Sequence, residues 1–243
     1  MQVVLALVLA AAPLPLVVVD AGHGGAQDGA IGVCGAKEKD VTLGISTEIG
    51  RVLAASGKTR VLLTRTDDAT MDLKERARFA NDAGADLFIS VHANSGPQPR
   101  SHGVETYFLS RTMSDRRIAK LVARENETFK VDVSRDETTR ILDNLSLSAA
   151  HVESARFAER THGMLTRELG LPGRRGVLQA PFFVLLAARM PSVLIETGFL
   201  TNKDECKQLA SAEHRERLAK VIAGAVLLHV AQEELAVAKP AGR

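Results

Sequence analysis

Three polar residues with metal-binding or acid–base chemistry sit at or just past the ends of strongly apolar runs. His23 follows LVVVD (16–20), His92 follows DLFISV (86–91), and Glu196 follows VLI (193–195). In open α/β sheets, ligands bind in the crevice beyond the carboxyl ends of the strands, so residues far apart in sequence can meet there. Glu38 follows a glycine-rich loop at the first turn of a helix and can turn into the same crevice. Two imidazoles and a carboxylate, with a fourth position left to water, make a catalytic zinc site. Zinc brings the pKa of its water down to about 7. A second carboxylate that does not bind metal must then move the proton from water to the leaving group, and Glu196 is assigned that role. Spacing alone leaves other readings open. A histidine in a loop is commonly a plain surface residue, a glutamate at a helix start serves the helix dipole, and no compact HExxH is present.

The elements that must position these residues alternate strand and helix. This predicts an α/β fold in three layers, αβα, with a mixed, mostly parallel central sheet flanked by helices. The continuous apolar run of 16–20 reads as a strand covered on both faces. Val41, Ile45, Ile49 and Leu53 recur at helical spacing, predicting a helix over 38–56 that Gly57 ends. Residues 59–64 and 86–91 are expected as strands, 72–82 as a helix, and 103–109, with its alternating pattern, as an edge strand. A helix-rich stretch follows over 114–169, then a Pro/Gly/Arg loop (170–176), a short strand at 193–195, and closing helices at 203–210 and 213–232. The tail, 236–243, is expected to fray.

Composition narrows the class. With 243 residues, 45% hydrophobic and 25% charged, the chain suits one large domain with a full core. Aromatics are 4%, which argues against an aromatic-lined sugar groove or a base-stacking platform. A net charge of +2 gives no electrostatic case for nucleic acid. Residues 1–12 (MQVVLALVLAAA) read as an export signal ending in small residues, too short to span a membrane. No integral membrane segment is expected in the mature chain. Cys34 and Cys206 lack any CxxC or Cys/His zinc spacing; two unpaired, partly buried thiols are the default reading, with pairing in an oxidising compartment left open because sequence does not show their Cα separation.

Several motifs in order then carry a resemblance. VVVDAGHGG (17–25), Glu38 within KEKDVTL (37–43), LLTRTDD (62–68), LKERARFAN (73–81), SVHANS (90–95) and IETGFLTNKDE (195–205) together resemble the zinc-dependent N-acetylmuramoyl-L-alanine amidases. The resemblance spans Leu16 to Val230. It implies one zinc ion on His23, Glu38 and His92, and Glu196 as the catalytic carboxylate. The implied substrate is the peptidoglycan amide between N-acetylmuramic acid and L-alanine, and the implied location is periplasmic or secreted. Asn94 is a candidate substrate contact. Arg65 is read as structural, anchoring its loop through Asp67 or Asp68. His102, His151, His162, His214 and His229 match no ligand position.

The stretch 110–169 is longer than in compact relatives. It resembles the inserted helix of Gram-negative cell-division amidases, which covers the zinc until an activator displaces it. This implies a role in daughter-cell separation and a periplasmic activator partner. The regulatory insertion is placed at 114–150, with Glu125 and Glu127 as candidate autoinhibitory residues. Two other functions stand beside this one: a zinc exopeptidase or amidohydrolase acting on soluble peptides with the same four residues, and a catalytically silent wall-binding protein.

Overall fold

The computed structural model describes residues 13–110, 112–114, 116–127, 149–170 and 176–238. The expected export signal (1–12) and most of the expected insertion lie outside these residues. Along the chain come β1 (Leu16–Ala21), α1 (Glu38–Ser56), β2 (Arg60–Leu63), α2 (Leu73–Asp82), β3 (Leu87–Asn94) and β4 (Glu105–Leu109). They are followed by α3 (Ala119–Glu125), α4 (Ala149–Glu168), β5 (Val177–Ala180), α5 (Phe183–Leu186), β6 (Ser192–Phe199), α6 (Lys203–Ala210) and α7 (Ala212–Ala238).

The strands form one six-stranded sheet in the order β2-β1-β3-β6-β4-β5. All neighbouring pairs are parallel except β4 with β6. Alternation along β1 splits the core in two. Val17 and Val19 face one side, with α1, α4 and α7 packed over them through residues such as Ile45, Phe157 and Ile222. Leu16 and Val18 face the other, under α2, α3 and α5, with Phe88, Tyr107 and Phe182. Strands buried on both faces need apolar residues at every position, which is why these segments are continuous apolar runs rather than alternating ones.

The expected three-layer architecture is therefore present, with four corrections. The segment 103–109 is not an edge: β4 lies between β6 and β5. Its polar residues are buried, one on each face: Glu105 beside Tyr107 and Thr106 beside His162 of α4. Strand β5 and the short α5 occupy residues read only as following a loop. The closing helix runs on to Ala238, so the expected tail begins inside α7, and residues 239–243 lie outside the described ones.

The fourth correction concerns the cysteines. Cys34 and Cys206 form a disulfide, with Cα atoms 5.9 Å apart, a separation a disulfide requires. The bond ties the loop before α1 to α6 across 172 positions of sequence. Closing so long a loop removes substantial entropy from the unfolded chain, a contribution of about 2–5 kcal/mol. Replacing the exposed Cys34 by Ser is expected to lower unfolding free energy by that amount. Dithiothreitol should shift the denaturant midpoint of the native protein to the same place and leave that of C34S unmoved. A reductant effect on C34S would assign the loss to something else.

Candidate active site

His23 lies in the loop after β1, and its backbone has φ 60, the left-handed region that non-glycine residues rarely adopt. Buried guanidinium groups hold that loop. Arg76, on α2, donates from Nη2 to the His23 carbonyl (2.7 Å) and from Nη1 to the Ala21 carbonyl (2.6 Å) and to Asp20 Oδ1 (2.7 Å). Asp72 fixes the start of α2, accepting from the Glu75 amide while the Glu75 carboxylate accepts from the Asp72 amide, a reciprocal cap that presents Arg76 to the loop. Arg65 donates to the carbonyls of Ala21, Gly22, Lys39 and Asp67. It is structural as expected, but it anchors backbone carbonyls rather than the Asp67 or Asp68 carboxylate. Gly22 must be glycine, because a Cβ there would fall 2.5 Å from the His92 ring.

Glu38 opens α1, fully buried. Its Oε2 accepts from the Ala30 amide (2.8 Å) and its Oε1 from the Ala93 amide (3.0 Å), so the loop and β3 jointly orient the carboxylate. Burial and the nearby Glu125 carboxylate would raise its pKa, but His23 and His92 together outweigh them and hold it well below the carboxylate range. His92 and Glu196 are not beyond their strands but inside them, opposite each other in the β3–β6 register. Thr197 donates to the His92 carbonyl (2.8 Å). The register shifts just after this pair, a bulge of the kind that re-aims side chains at a sheet end.

His23, Glu38, His92 and Glu125 converge. His23 Nε2 lies 3.2 Å from both Glu38 Oε2 and Glu125 Oε2, and His92 Nδ1 lies 3.1 Å from Glu38 Oε1 and Glu125 Oε2. Among the described residues, His23 Nε2 has no partner in hydrogen-bonding geometry. Ligands held about 2.0–2.2 Å from a tetrahedral zinc stand about 3.3–3.6 Å apart. The observed spacing is close to that, and the donor set of imidazoles and carboxylates suits the ion.

Glu196 is fully buried, and among the described residues neither carboxylate oxygen has a hydrogen-bond partner. Burial, opposed by His92 and reinforced by the negative charges of Glu125 and Glu38, pushes its pKa well above the carboxylate range. A buried orphan carboxyl costs stability, which marks it as functional. Arg124 donates to Glu125 Oε1 (2.7 Å) beside the cluster.

The other sequence candidates separate. Glu127 is exposed and lines the cleft over His23 and His92 without joining the cluster. Asn94 is buried and donates to Glu105 Oε2 (2.9 Å), which Tyr107 also engages (2.6 Å). Of the five remaining histidines, His229 lies near Glu153 and Glu233. There Arg160 donates to His229 Nδ1 and Arg156 binds Glu153, and two guanidinium charges disfavour a second cation. Arg76 and the disulfide were missed by sequence reasoning; among the described residues no helix is long and apolar enough to cross a membrane.

A family model described as N-acetylmuramoyl-L-alanine amidase matches residues 17–227. The chain belongs to this family. It is accordingly an amide hydrolase of peptidoglycan. It is 32% identical over 228 residues to the amidase AmiA of Escherichia coli K12, covering 87% of this chain and 75% of that one. It is 34% identical over 204 residues to LytC of Bacillus subtilis, of which it spans only 33%. Among solved structures, the catalytic domain of CwlV from Paenibacillus polymyxa superposes with a TM-score of 0.70 at 28% identity, covering 90% of this chain and 99% of that one. The amidase AmiC2 of Nostoc punctiforme gives 0.69 at 28% identity, covering 89% and 97%.

Proposed function

We propose that the amidase binds one zinc ion through His23, Glu38 and His92, and that Glu196 is its catalytic base and acid. The observation that carries this reading is the unpartnered, buried Glu196 carboxyl set opposite His92. Zinc at this site supplies a Lewis acid that polarises the scissile carbonyl and makes water acidic at neutral pH. The cleaved bond joins the lactyl carbonyl of N-acetylmuramic acid to the nitrogen of L-alanine. The C–N bond breaks and a C–O bond to the water oxygen forms. Glu196 takes a proton from water and returns it to the leaving nitrogen, releasing a peptide with a free amine. A pKa raised out of the ordinary carboxylate range suits a group that must both accept and donate near neutral pH. Wall digestion with products read by mass spectrometry tests the reading. Unsubstituted glycan and free stem peptides should appear, vanish with chelator and return with zinc; single amino acids from soluble peptides would point to an exopeptidase instead.

The protein acts in the periplasm or outside the cell, in wall remodelling and daughter-cell separation. A disulfide across the catalytic domain persists in oxidising compartments, in keeping with export. The enzyme is held off by α3. Glu125 is buried within reach of both histidines and occupies the position that water needs, so a periplasmic activator must draw α3 away. Glu125→Ala is therefore expected to raise wall hydrolysis about tenfold or more at equal zinc content, the response to removing a competing bound state. A fall in activity would make Glu125 a working part of the site.

A further inference from the structure

Between the His23 loop and α1, residues 30–38 form a small hairpin whose base holds a proposed zinc ligand. The Glu38 amide donates to the Ala30 carbonyl (2.9 Å), and the Ala30 amide donates back to Glu38 Oε2 (2.8 Å). Ile31 and Lys37 bridge as an antiparallel pair, and the Gly32 amide donates to the Ala36 carbonyl (2.7 Å). The tip is poorly buried: Ile31 is 65% exposed and Val33 61%, and Cys34 is exposed as well. It is fastened to the body by the Val33 amide, which donates to the Leu200 carbonyl (3.0 Å), and by the disulfide from Cys34 to Cys206 on α6. Nothing in the mechanism above uses this bond.

We infer that the Cys34–Cys206 bridge is a positioning device for Glu38, so that tight zinc binding waits on the oxidation of these two thiols. The inference rests on the zinc reading of the site. Glu38 is oriented by one donor from the hairpin, the Ala30 amide, and one from β3, the Ala93 amide. The tip of the hairpin lands just past β6. Leu200, whose carbonyl receives the Val33 amide, donates its own amide to the Asn94 carbonyl at the end of β3 (2.8 Å). The bridge thus closes a circuit from Glu38, through the hairpin, to the strands that carry Glu196 and His92. Exposed apolar side chains do little to hold the tip, so without the S–S bond it relies on Leu200 against the entropy of a free loop. The start of α1 has its own ties, because Lys39 Nζ donates to the Gly25 carbonyl and to the carboxylates of Asp28 and Asp68. Reduction therefore loosens the hairpin without freeing the helix.

The two sulfurs differ in access. Cys34 is exposed and Cys206 fully buried, so thiol–disulfide exchange enters at Cys34. A disulfide-bearing oxidoreductase supplies the oxidising equivalents. The Cys34 thiolate attacks one sulfur of its disulfide, forming a mixed disulfide and releasing the first thiol of the oxidant. The Cys206 thiolate then attacks Cys34 Sγ, the mixed disulfide breaks, and the second thiol of the oxidant leaves. The amidase loses two electrons and two protons, and the oxidant takes them up as a dithiol. Disulfides form in oxidising compartments, so a chain still in a reducing one keeps a loosened Glu38 and a poor zinc site.

The zinc affinity of the full chain, measured by competition with a chromophoric chelator at a temperature where circular dichroism shows every sample folded, tests the inference. Reducing the bridge with a phosphine is expected to weaken zinc binding by about ten- to a hundredfold, the range for partners that orient a metal ligand. Reoxidation with oxidised glutathione should restore it. The double substitution Cys34→Ala with Cys206→Ala should match the reduced protein and ignore the phosphine, which removes the freed thiols as a source of zinc binding. Leu165→Ala, a buried truncation on α4, lowers stability comparably and should keep zinc affinity within about twofold of native. Zinc affinity within about twofold of native in the reduced chain and the double variant, or a matching loss in L165A, would overturn the inference and leave the zinc reading intact. Failure of the oxidised native chain to bind zinc would remove both.

Discussion

Glu196→Gln is expected to lower the rate of amide hydrolysis by a factor of about 10²–10⁴, the range that positioned acid–base groups contribute, while zinc content stays that of the native protein. Glutamine has nearly the same shape and hydrogen-bonding reach but neither accepts nor releases a proton at neutral pH. Among the described residues the native carboxyl has no hydrogen bond to lose, so the substitution removes proton transfer without dismantling local structure, and the melting temperature should hold or rise. Single-turnover rates with wall fragments, beside metal analysis of the same samples, separate the outcomes. Metal lost together with activity would make Glu196 a ligand. Activity within a fewfold of native would move proton transfer to another group, of which Glu125 is the nearest candidate by its contacts with both histidines.

The strong periodic segments of the sequence reached the structure almost unchanged. The helix at 38–56 is found with the expected limits, closed by Gly57 in the left-handed conformation. His23, Glu38, His92 and Glu196 all lie toward one end of the sheet, where the apolar runs of β1, β3 and β6 give way to polar residues and the loop after β1 brings in the start of α1. What failed to show in the sequence was polar burial. Glu105 looked like the solvent side of an edge strand, yet it is buried because Asn94 and Tyr107 satisfy its carboxylate. Arg76 sits in LKERARFAN, a segment read as a helix with no role for this arginine, and only Asp20 and the loop carbonyls it meets explain its position. The Cys34–Cys206 pair has no local signal, since the contact exists only after α6 folds back beside the loop before α1. The stretch 110–169 stood out by length alone, and sequence did not separate its two candidate glutamates. Glu125 reaches the histidines and Glu127, two residues on, does not.

The second large effect belongs to Arg76. Its guanidinium and the Asp20 carboxylate form a fully buried pair at 2.7 Å, with Asp20 also accepting from Thr64 and Ser90. Arg76→Met keeps much of the apolar stem but strands Asp20 as a buried unpaired charge. It also removes the donor to the His23 carbonyl, whereas the Ala21 carbonyl keeps its bond from Arg65 Nε. Breaking a buried pair from one side costs about 3–5 kcal/mol, or a fall in melting temperature of about 6–20 °C for a domain of this size. The pH dependence distinguishes this cause from simple loss of packing. In the native protein, burial tends to raise the Asp20 pKa, but Arg76 and the hydroxyl hydrogen bonds hold it below its ordinary value. Its stabilising contribution is therefore complete above the unfolded pKa, about 3.9, and is lost as pH falls through the native value. In the variant burial dominates over the hydroxyls and the Arg65 charge that also interacts with Asp20, so the folded pKa is expected to rise above the unfolded one, and stability is lost as pH rises. The difference between the two proteins should thus narrow as pH falls from 7 toward 4, measured by denaturant unfolding at each pH. A difference that stays constant across that range would assign the loss to packing and to the His23 loop. Zinc affinity adds a separate measure, because the carbonyl of His23 loses the donor that holds its left-handed backbone, and weaker zinc binding should accompany the loss of stability.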